Sequence, residues 1–304
     1  MKRLNRRNWK SFKNWDLYVM LIPVIAFYII FCYAPMYGVQ IAFKDFMASK
    51  GIWGSPWVGF KYFEKFFNSY YFGRLLYNTI SISFFQLLFS FPIPIILALM
   101  VNELRNGPFK KCVQNITYAP HFLSVVVLVG MLGIFLDPEK GFINHFIMLF
   151  GGEPIDFLAD PKWFKPIYII SEIWQNTGWN SIIYISALAG IDPQLHEAAK
   201  IDGAGRFARI IHINLPGILP TIVTLLILNV GKIMNVGFEK VFLLQNDLNI
   251  SASDVISTFS YSIGIQGGQY SFASAIGLFN SIINFTLLLV VNKISKKLSE
   301  TSLW

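Results

Sequence analysis

The sequence predicts an all-α, polytopic membrane protein with six transmembrane helices. Three observations lead there. Only 14% of the 304 residues are charged, against roughly 25% in a typical soluble domain. Apolar residues make up 54% and aromatic residues 16%, with 29 Phe, and mean hydropathy is +0.51. This apolar excess is spread over several separated uncharged runs of about 20 residues, the length that crosses a hydrocarbon core. It cannot all be the core of one soluble domain.

The elements follow in order. Residues 1–16 carry Lys2, Arg3, Arg6, Arg7, Lys10 and Lys13 and are expected to form a basic cytosolic N-terminus. The uncharged run from Leu17 to Phe43 is too long for the apolar region of a signal peptide and lacks a small-x-small cleavage site, so it is expected to be a retained first helix, spanning near 17–36. Leu75 to Asn102 predicts a second span near 75–102, kinked by Pro92 and Pro94. Cys112 to Leu136, with His121 following Pro120, predicts a third near 112–136. Ile173 to Ile191, with Glu172 just ahead of it, predicts a fourth near 167–191. Asn214 to Gly231, followed by Lys232, predicts a fifth near 217–237. The sixth is expected near 272–292, after the Gly-rich turn Gly264 to Gly268. Residues 17–304 thus read as a single transmembrane domain.

Orientation comes from the loops. Arg105, Lys110, Lys111, Lys200, Arg206, Arg209, Lys293, Lys296 and Lys297 fall on the same face as the basic N-terminus. That face holds more Lys and Arg in shorter segments, which places both termini in the cytosol. The formal net charge of +8 is explained in the same way, and no basic stripe with interleaved aromatics points to a nucleic-acid partner. The lipid bilayer is the expected surrounding. No His/Cys cluster predicts a metal site, and no set of acids, His and nucleophiles at catalytic spacing predicts an enzyme. Two cysteines, Cys32 and Cys112, sit in unlike surroundings, which argues against a mutual disulfide.

One cytosolic loop, 192–216, carries the most information. Asp192 is a good N-cap and Pro193 a good first helical residue. Ala198 and Ala199 give a small flat face. Gly203 or Gly205 can end the helix in a left-handed turn. A second short helix is expected from Arg206 to His212, with Leu215-Pro216 leading back into the bilayer. The product is a compact knob suited to docking in a groove on a rigid partner.

Glu197-Ala198-Ala199, then Gly203, then Ile213 and Leu215-Pro216, at this spacing, resembles the coupling-loop signature of binding-protein-dependent ABC importer permeases. Ile201-Asp202-Gly203-Ala204 resembles the sugar-transporting branch. Trp174, Gly178-Trp179-Asn180 and Ala187 to Gly190 are similar to maltose-type permeases. The opening from Leu21-Ile22-Pro23 to Ala42-Phe43-Lys44-Asp45-Phe46, with Trp57 to Phe60, resembles a subgroup serving complex oligo- and polysaccharide uptake. The resemblance implies a type I ABC importer permease architecture in a bacterial cytoplasmic membrane. It further implies a second, non-identical permease, two cytosolic ATPase subunits and an extracytoplasmic sugar-binding protein. Glu197, Ala198, Ala199, Asp202, Gly203, Ile213, Leu215 and Pro216 become the expected ATPase-coupling residues. The chain has no GxxxxGK[ST] sequence, since Gly231-Lys232 lacks the upstream glycine. ATP and Mg are therefore expected on the partner ATPase, with no cofactor on this chain.

Polar groups at membrane depth are costly and point to a path. The candidates are Trp174, Gln175, Asn176, Trp179 and Asn180 in span four and Asn229 and Lys232 in span five. Aromatic faces can cover the apolar patches of a sugar, and amides can serve its hydroxyls. The same residue types also pack helices together, and Lys232 could pair with Glu172 or Glu239, or snorkel outward. An ATP-independent carrier or channel is the alternative reading. It would be marked by inverted repeats or intramembrane carboxylates, which are not apparent.

Overall fold

A computed structural model describes residues 15–299. The basic N-terminus expected over 1–16 lies outside them, except for Trp15 and Asp16. Helix accounts for 77% of the described residues, with no strand among them. The longer helices are α1 Trp15–Phe27, α2 Lys61–Phe67, α3 Phe72–Ser90, α4 Pro92–Glu103, α5 Pro108–Tyr118, α6 Val125–Phe135 and α7 Phe142–Leu149. They continue with α8 Pro161–Ala189, α9 Pro193–Ile201, α10 Leu215–Val230, α11 Phe238–Leu244, α12 Ile256–Tyr261 and α13 Tyr270–Ser299.

Among the described residues, four helical stretches are long and apolar enough to cross a membrane: Trp15–Phe43, Phe72–Glu103, Arg206–Val230 and Tyr270–Lys297, of 29, 32, 25 and 28 residues. The second is interrupted at Phe91, immediately before Pro92, where the missing amide of proline breaks the helical ladder.

Three expectations are corrected. The third span, expected as one helix over 112–136, is two: Pro108–Phe122 and Val125–Phe135 meet at 100°. Pro120 sits in a tight turn over Ala119–Phe122, and Ser124 in extended conformation caps the next helix by accepting from the Val127 amide. The break is thus a stop followed by a fresh start. The fifth span ends at Val230, short of 237, and residues after Gly231 form turns. The second short helix expected over Arg206 to His212 begins at Arg206 but does not end at His212. Arg206–Arg209 runs through a π turn, Ile210–Asn214, directly into α10.

The chain divides into two compact units, Met1–Phe67 with Ile263–Leu278, and Asn68–Ser262 with Phe279–Trp304. In the first, Ala42, Phe63 and Ala275 form a buried cluster. The Tyr62 hydroxyl donates to Asp45 Oδ1 at 2.6 Å, and Lys61 stands 3.6 Å from Oδ2. The Tyr62 hydrogen bond, followed by the Lys61 charge, holds the Asp45 carboxyl below its ordinary value. Burial, with Asp45 adding to it, pushes Tyr62 up to about 12.

The second unit is organised by α8, which packs against α3, α4, α5 and α10. Its buried residues Phe164, Tyr168, Ser171, Gln175, Gly178, Ser181, Tyr184 and Leu188 recur every three or four positions, one continuous face. Asp160 caps its N-terminus by accepting from the Lys162 amide at 3.0 Å, and Pro161 occupies the first position. Two apolar clusters flank it. One joins Ile82, Phe164, Tyr168, Val241 and Val255; the other joins Ala98, Tyr184, Leu188 and Ile218. At Gly178 the helix lies so close to the Thr117 carbonyl that no Cβ fits between them.

Candidate functional site

A cavity of about 310 Å³ opens inside the second unit. It is walled by Ser83, Gln86 and Ser90 of α3, by Glu172, Asn176, Thr177, Asn180 and Tyr184 of α8, by Asn229 near the end of α10, and by Lys232 and Asn235 in the segment that follows it. Its size falls at the lower end of ligand cavities, roughly 300–1,000 Å³. Amides and hydroxyls line it together with apolar Leu87, Ile173, Ile183 and Leu225.

Four of the seven residues expected to line a substrate path meet here: Asn176, Asn180, Asn229 and Lys232. Trp174, Gln175 and Trp179 do not line the cavity. Gln175 is buried and donates to the Leu123 carbonyl at 3.0 Å. That carbonyl lies at the break between α5 and α6, so Gln175 satisfies an acceptor the bend leaves without a helical partner. Trp179 stacks on His121 with ring centroids 4.6 Å apart and planes at 6°. Trp174 is about half exposed.

The charges in the cavity are arranged unequally. Glu172 Oε2 is 3.0 Å from Lys240 Nζ, and Oε1 accepts from Asn176 Nδ2 at 2.7 Å. Lys240 is itself buried and stands 5.0 Å from the centre of the Tyr168 ring. The partner of Glu172 is thus Lys240; among the described residues Lys232 has no carboxylate within ion-pair distance. Asn235 and Asn284 extend the polar wall: Asn284 donates to Asn235 Oδ1 at 3.1 Å and accepts from the Met234 amide at 3.0 Å.

The second candidate feature is α9. Asp192 accepts from the Gln194 amide at 2.9 Å, with Pro193 behind it. The helix ends in a Schellman turn: Ala204 donates to the Ala199 carbonyl at 2.8 Å, Gly203 to Lys200 at 3.1 Å, and Gly203 holds φ at 77°. Both ends are therefore fixed by local hydrogen bonds. Glu197 and Ala198 are exposed, and Glu197 has no ion-pair partner among the described residues. Around them Leu195, Ile201 and Phe207 are 53%, 86% and 78% exposed. Three exposed apolar side chains thus lie in the same loop as a carboxylate without an ion-pair partner. Ile213, Leu215 and Pro216 lie in the turn and first residues that carry this knob into α10. Arg209, 4.0 Å from Glu103, ties that turn to the end of α4.

Residues that the sequence reading did not place at the site include Ser83, Gln86, Ser90, Thr177 and Tyr184. A signal was present: Ser83, Gln86 and Ser90 are polar positions spaced by three and four residues in an otherwise apolar helix. Among the described residues no group of three His, Cys, Asp or Glu is placed to hold a metal ion.

Comparison with known proteins agrees with this picture. Residues 70–300 match the family described as binding-protein-dependent transport system inner membrane component. The chain is 45% identical over 304 residues to Protein LplB of Bacillus subtilis (strain 168), covering 100% of this chain and 93% of that protein. It is 43% identical over 288 residues to the polygalacturonan/rhamnogalacturonan transport system permease protein YteP of the same organism, covering 95% and 90%. Among solved structures it is similar to a chain of a bacterial alginate ABC transporter in complex with an alginate pentasaccharide-bound periplasmic protein. The TM-score is 0.90 at 41% identity, covering 98% of this chain and 100% of that one. Several apolar helices long enough to span a bilayer, a polar cavity beside α8, and a family match over three quarters of the sequence converge: the chain belongs to the binding-protein-dependent transport system inner membrane components.

Proposed function

We propose that this chain is the permease subunit of an ATP-driven, binding-protein-dependent importer of oligosaccharides. It forms half of the translocation path and couples to a cytosolic ATPase through α9 and the turn that follows. The observation that carries the coupling role is the capped knob with Glu197 unpaired and Leu195, Ile201 and Phe207 exposed. A rigid helix transmits displacement, and after the turn at Asp202–Gly205 the chain runs from Arg206 into α10 without a break.

In this reading Glu197 pairs with a cation on the ATPase, Ala198 and Ala199 let its backbone approach, and Asp202-Gly203 close the knob. Ile213, Leu215 and Pro216 direct it into the membrane. Closure of the ATPase pair around ATP and Mg moves the knob, tilts α8 and α10, and opens the cavity outward; hydrolysis resets it. Asn176, Asn180, Asn229 and Lys232 serve the sugar inside. Trp174, Gln175 and Trp179 lie outside that lining. Hydrolysis takes place on the partner chain, and a second, non-identical permease completes the path.

Six spans and cytosolic termini complete the proposal. The bent pair α5–α6 counts as one. α8 is the sixth: its 29 residues extend about 44 Å at ~1.5 Å per residue, more than a core of ~30 Å. Polar groups turned inward explain its lower hydropathy.

Relatives whose names carry alginate or polygalacturonan/rhamnogalacturonan handle acidic polysaccharides, and we extend that charge class to this chain. The test is co-expression with neighbouring-gene products, purification, and ATPase activity with and without binding protein. Stimulated hydrolysis in the complex, with uptake abolished in Glu197→Lys while the variant still inserts and assembles, is the expected result. No associated ATPase, or normal uptake in Glu197→Lys, overturns it.

A further inference from the structure

We infer that Lys232 is the residue that reads the carboxylate of an anionic sugar, and that Lys240 acts from outside the cavity by cancelling Glu172. This rests on the reading of the cavity as part of the sugar path.

Two charged side chains line the cavity, Glu172 and Lys232. Taken alone they would give a neutral site with no preference for charge. The hydrogen bonds remove that symmetry. Both Glu172 oxygens are occupied, one by the Lys240 ammonium at 3.0 Å and the other by the Asn176 amide at 2.7 Å. Lys240 is buried behind the wall and is spent on this one contact and on the Tyr168 ring. Glu172 therefore reaches the cavity with its charge matched and each oxygen already accepting a hydrogen bond. Lys232 has no carboxylate within 4.0 Å among the described residues.

The cavity's uncompensated charge is one ammonium among neutral amides. The Lys232 ammonium is exposed and so open to a ligand, and a carboxylate meets it with opposite charge as well as a hydrogen bond, where a neutral hydroxyl offers the hydrogen bond alone. Discrimination then comes from the pairing of Lys232 and from the absence of a free carboxylate that would repel the ligand. The surrounding Asn176, Asn180, Asn229 and Gln86 offer the donors and acceptors that sugar hydroxyls need.

Lys232 also follows the C-terminus of α10, where a cation interacts well with the last carbonyls. A residue serving only as a helix cap would affect all substrates alike, so selectivity is the quantity to measure. The assembled importer is reconstituted in liposomes with one binding protein throughout. Uptake is compared between a galacturonate trisaccharide and the same trisaccharide with its carboxyl groups reduced to alcohols. The binding protein's own preference is constant, so it cancels when the uptake ratio is compared across variants. Lys232→Gln is expected to lower the acid-to-neutral uptake ratio by about tenfold, the effect of losing one charge pair, and Lys232→Arg to keep most of it. An unchanged ratio in Lys232→Gln, or equal loss on both sugars, overturns the inference and leaves the importer reading standing. Preference of the wild type for the neutral sugar does the same. Uptake of neither sugar by wild type overturns the carbohydrate reading and this inference with it.

Discussion

His121 Nδ1 lies 2.8 Å from Asn176 Oδ1, and the next bond along decides which atom carries the proton. Asn176 turns its NH2 group on Glu172 at 2.7 Å, since a carboxylate can only accept. Its oxygen is therefore left for His121, and His121 must donate from Nδ1. The relay continues from Glu172 to Lys240 at 3.0 Å. A buried cation, a carboxylate, an amide and an imidazole stacked on Trp179 form one connected set, of which Glu172 and Asn176 line the cavity.

Glu172→Gln should be strongly destabilising, because Lys240, whose side chain is 4% exposed, loses its counter-charge. Breaking a buried pair from one side costs about 3 kcal/mol or more. Glu172→Gln with Lys240→Met should recover much of that loss. Melting temperatures of the two single variants and the double variant in detergent give the coupling energy. Additive losses would show that the pair contributes nothing.

Gln175→Leu keeps the volume and removes the donor to the Leu123 carbonyl. The bend between α5 and α6 then holds an unsatisfied acceptor, at a cost of about 1–3 kcal/mol. Thermal unfolding should report a lower midpoint. Indifference to the change would mean that Ser124 and Pro120 hold the bend unaided.

Gly178→Val pushes a branched side chain into the space taken by the Thr117 carbonyl. Helix separation must increase, at about 1–3 kcal/mol by the usual cost of overpacking. Lower accumulation in the membrane and a lower melting point are expected, with Gly178→Ala intermediate. Wild-type behaviour in Gly178→Val would contradict the close approach of α5 and α8.

Gly203→Ala places a Cβ on a residue at φ 77° and should cost about 1 kcal/mol. Gly203→Asn should be milder, since Asn tolerates that conformation. The readout is ATPase stimulation by binding protein. Equal behaviour of Ala and Asn would show that the left-handed turn is not what holds the knob.

Tyr62→Phe removes the largest cause of the lowered Asp45 value. The sign follows from linkage: a carboxylate lowered in the folded state contributes stability above its unfolded value, about pH 4. That contribution is lost as pH falls through the lowered value. In Tyr62→Phe the Asp45 titration, followed by carboxyl NMR, should move back toward 3.8. No movement would assign the shift to Lys61.

The sequence by itself determined the solvent, the four long apolar helices and the knob. Their causes are local: runs of uncharged residues, Asp192-Pro193 at one helix end and Gly203 at the other. It also placed Asn176, Asn180, Asn229 and Lys232 as polar groups at membrane depth, because their cost there does not depend on neighbours. Only tertiary structure decided what those groups face. Gln175 and Asn176 are adjacent in the chain, yet one caps the Leu123 carbonyl and the other lines the cavity, since successive helical side chains point about 100° apart. The partner of Glu172 was equally hidden. Glu172 and Lys240 are separated by 68 positions, and no periodicity relates them. The 100° break in the third span had a visible proline, but proline is common in membrane helices. It became a break there because Ser124 could restart the helix and Gln175, from a distant segment, could satisfy the carbonyl left open.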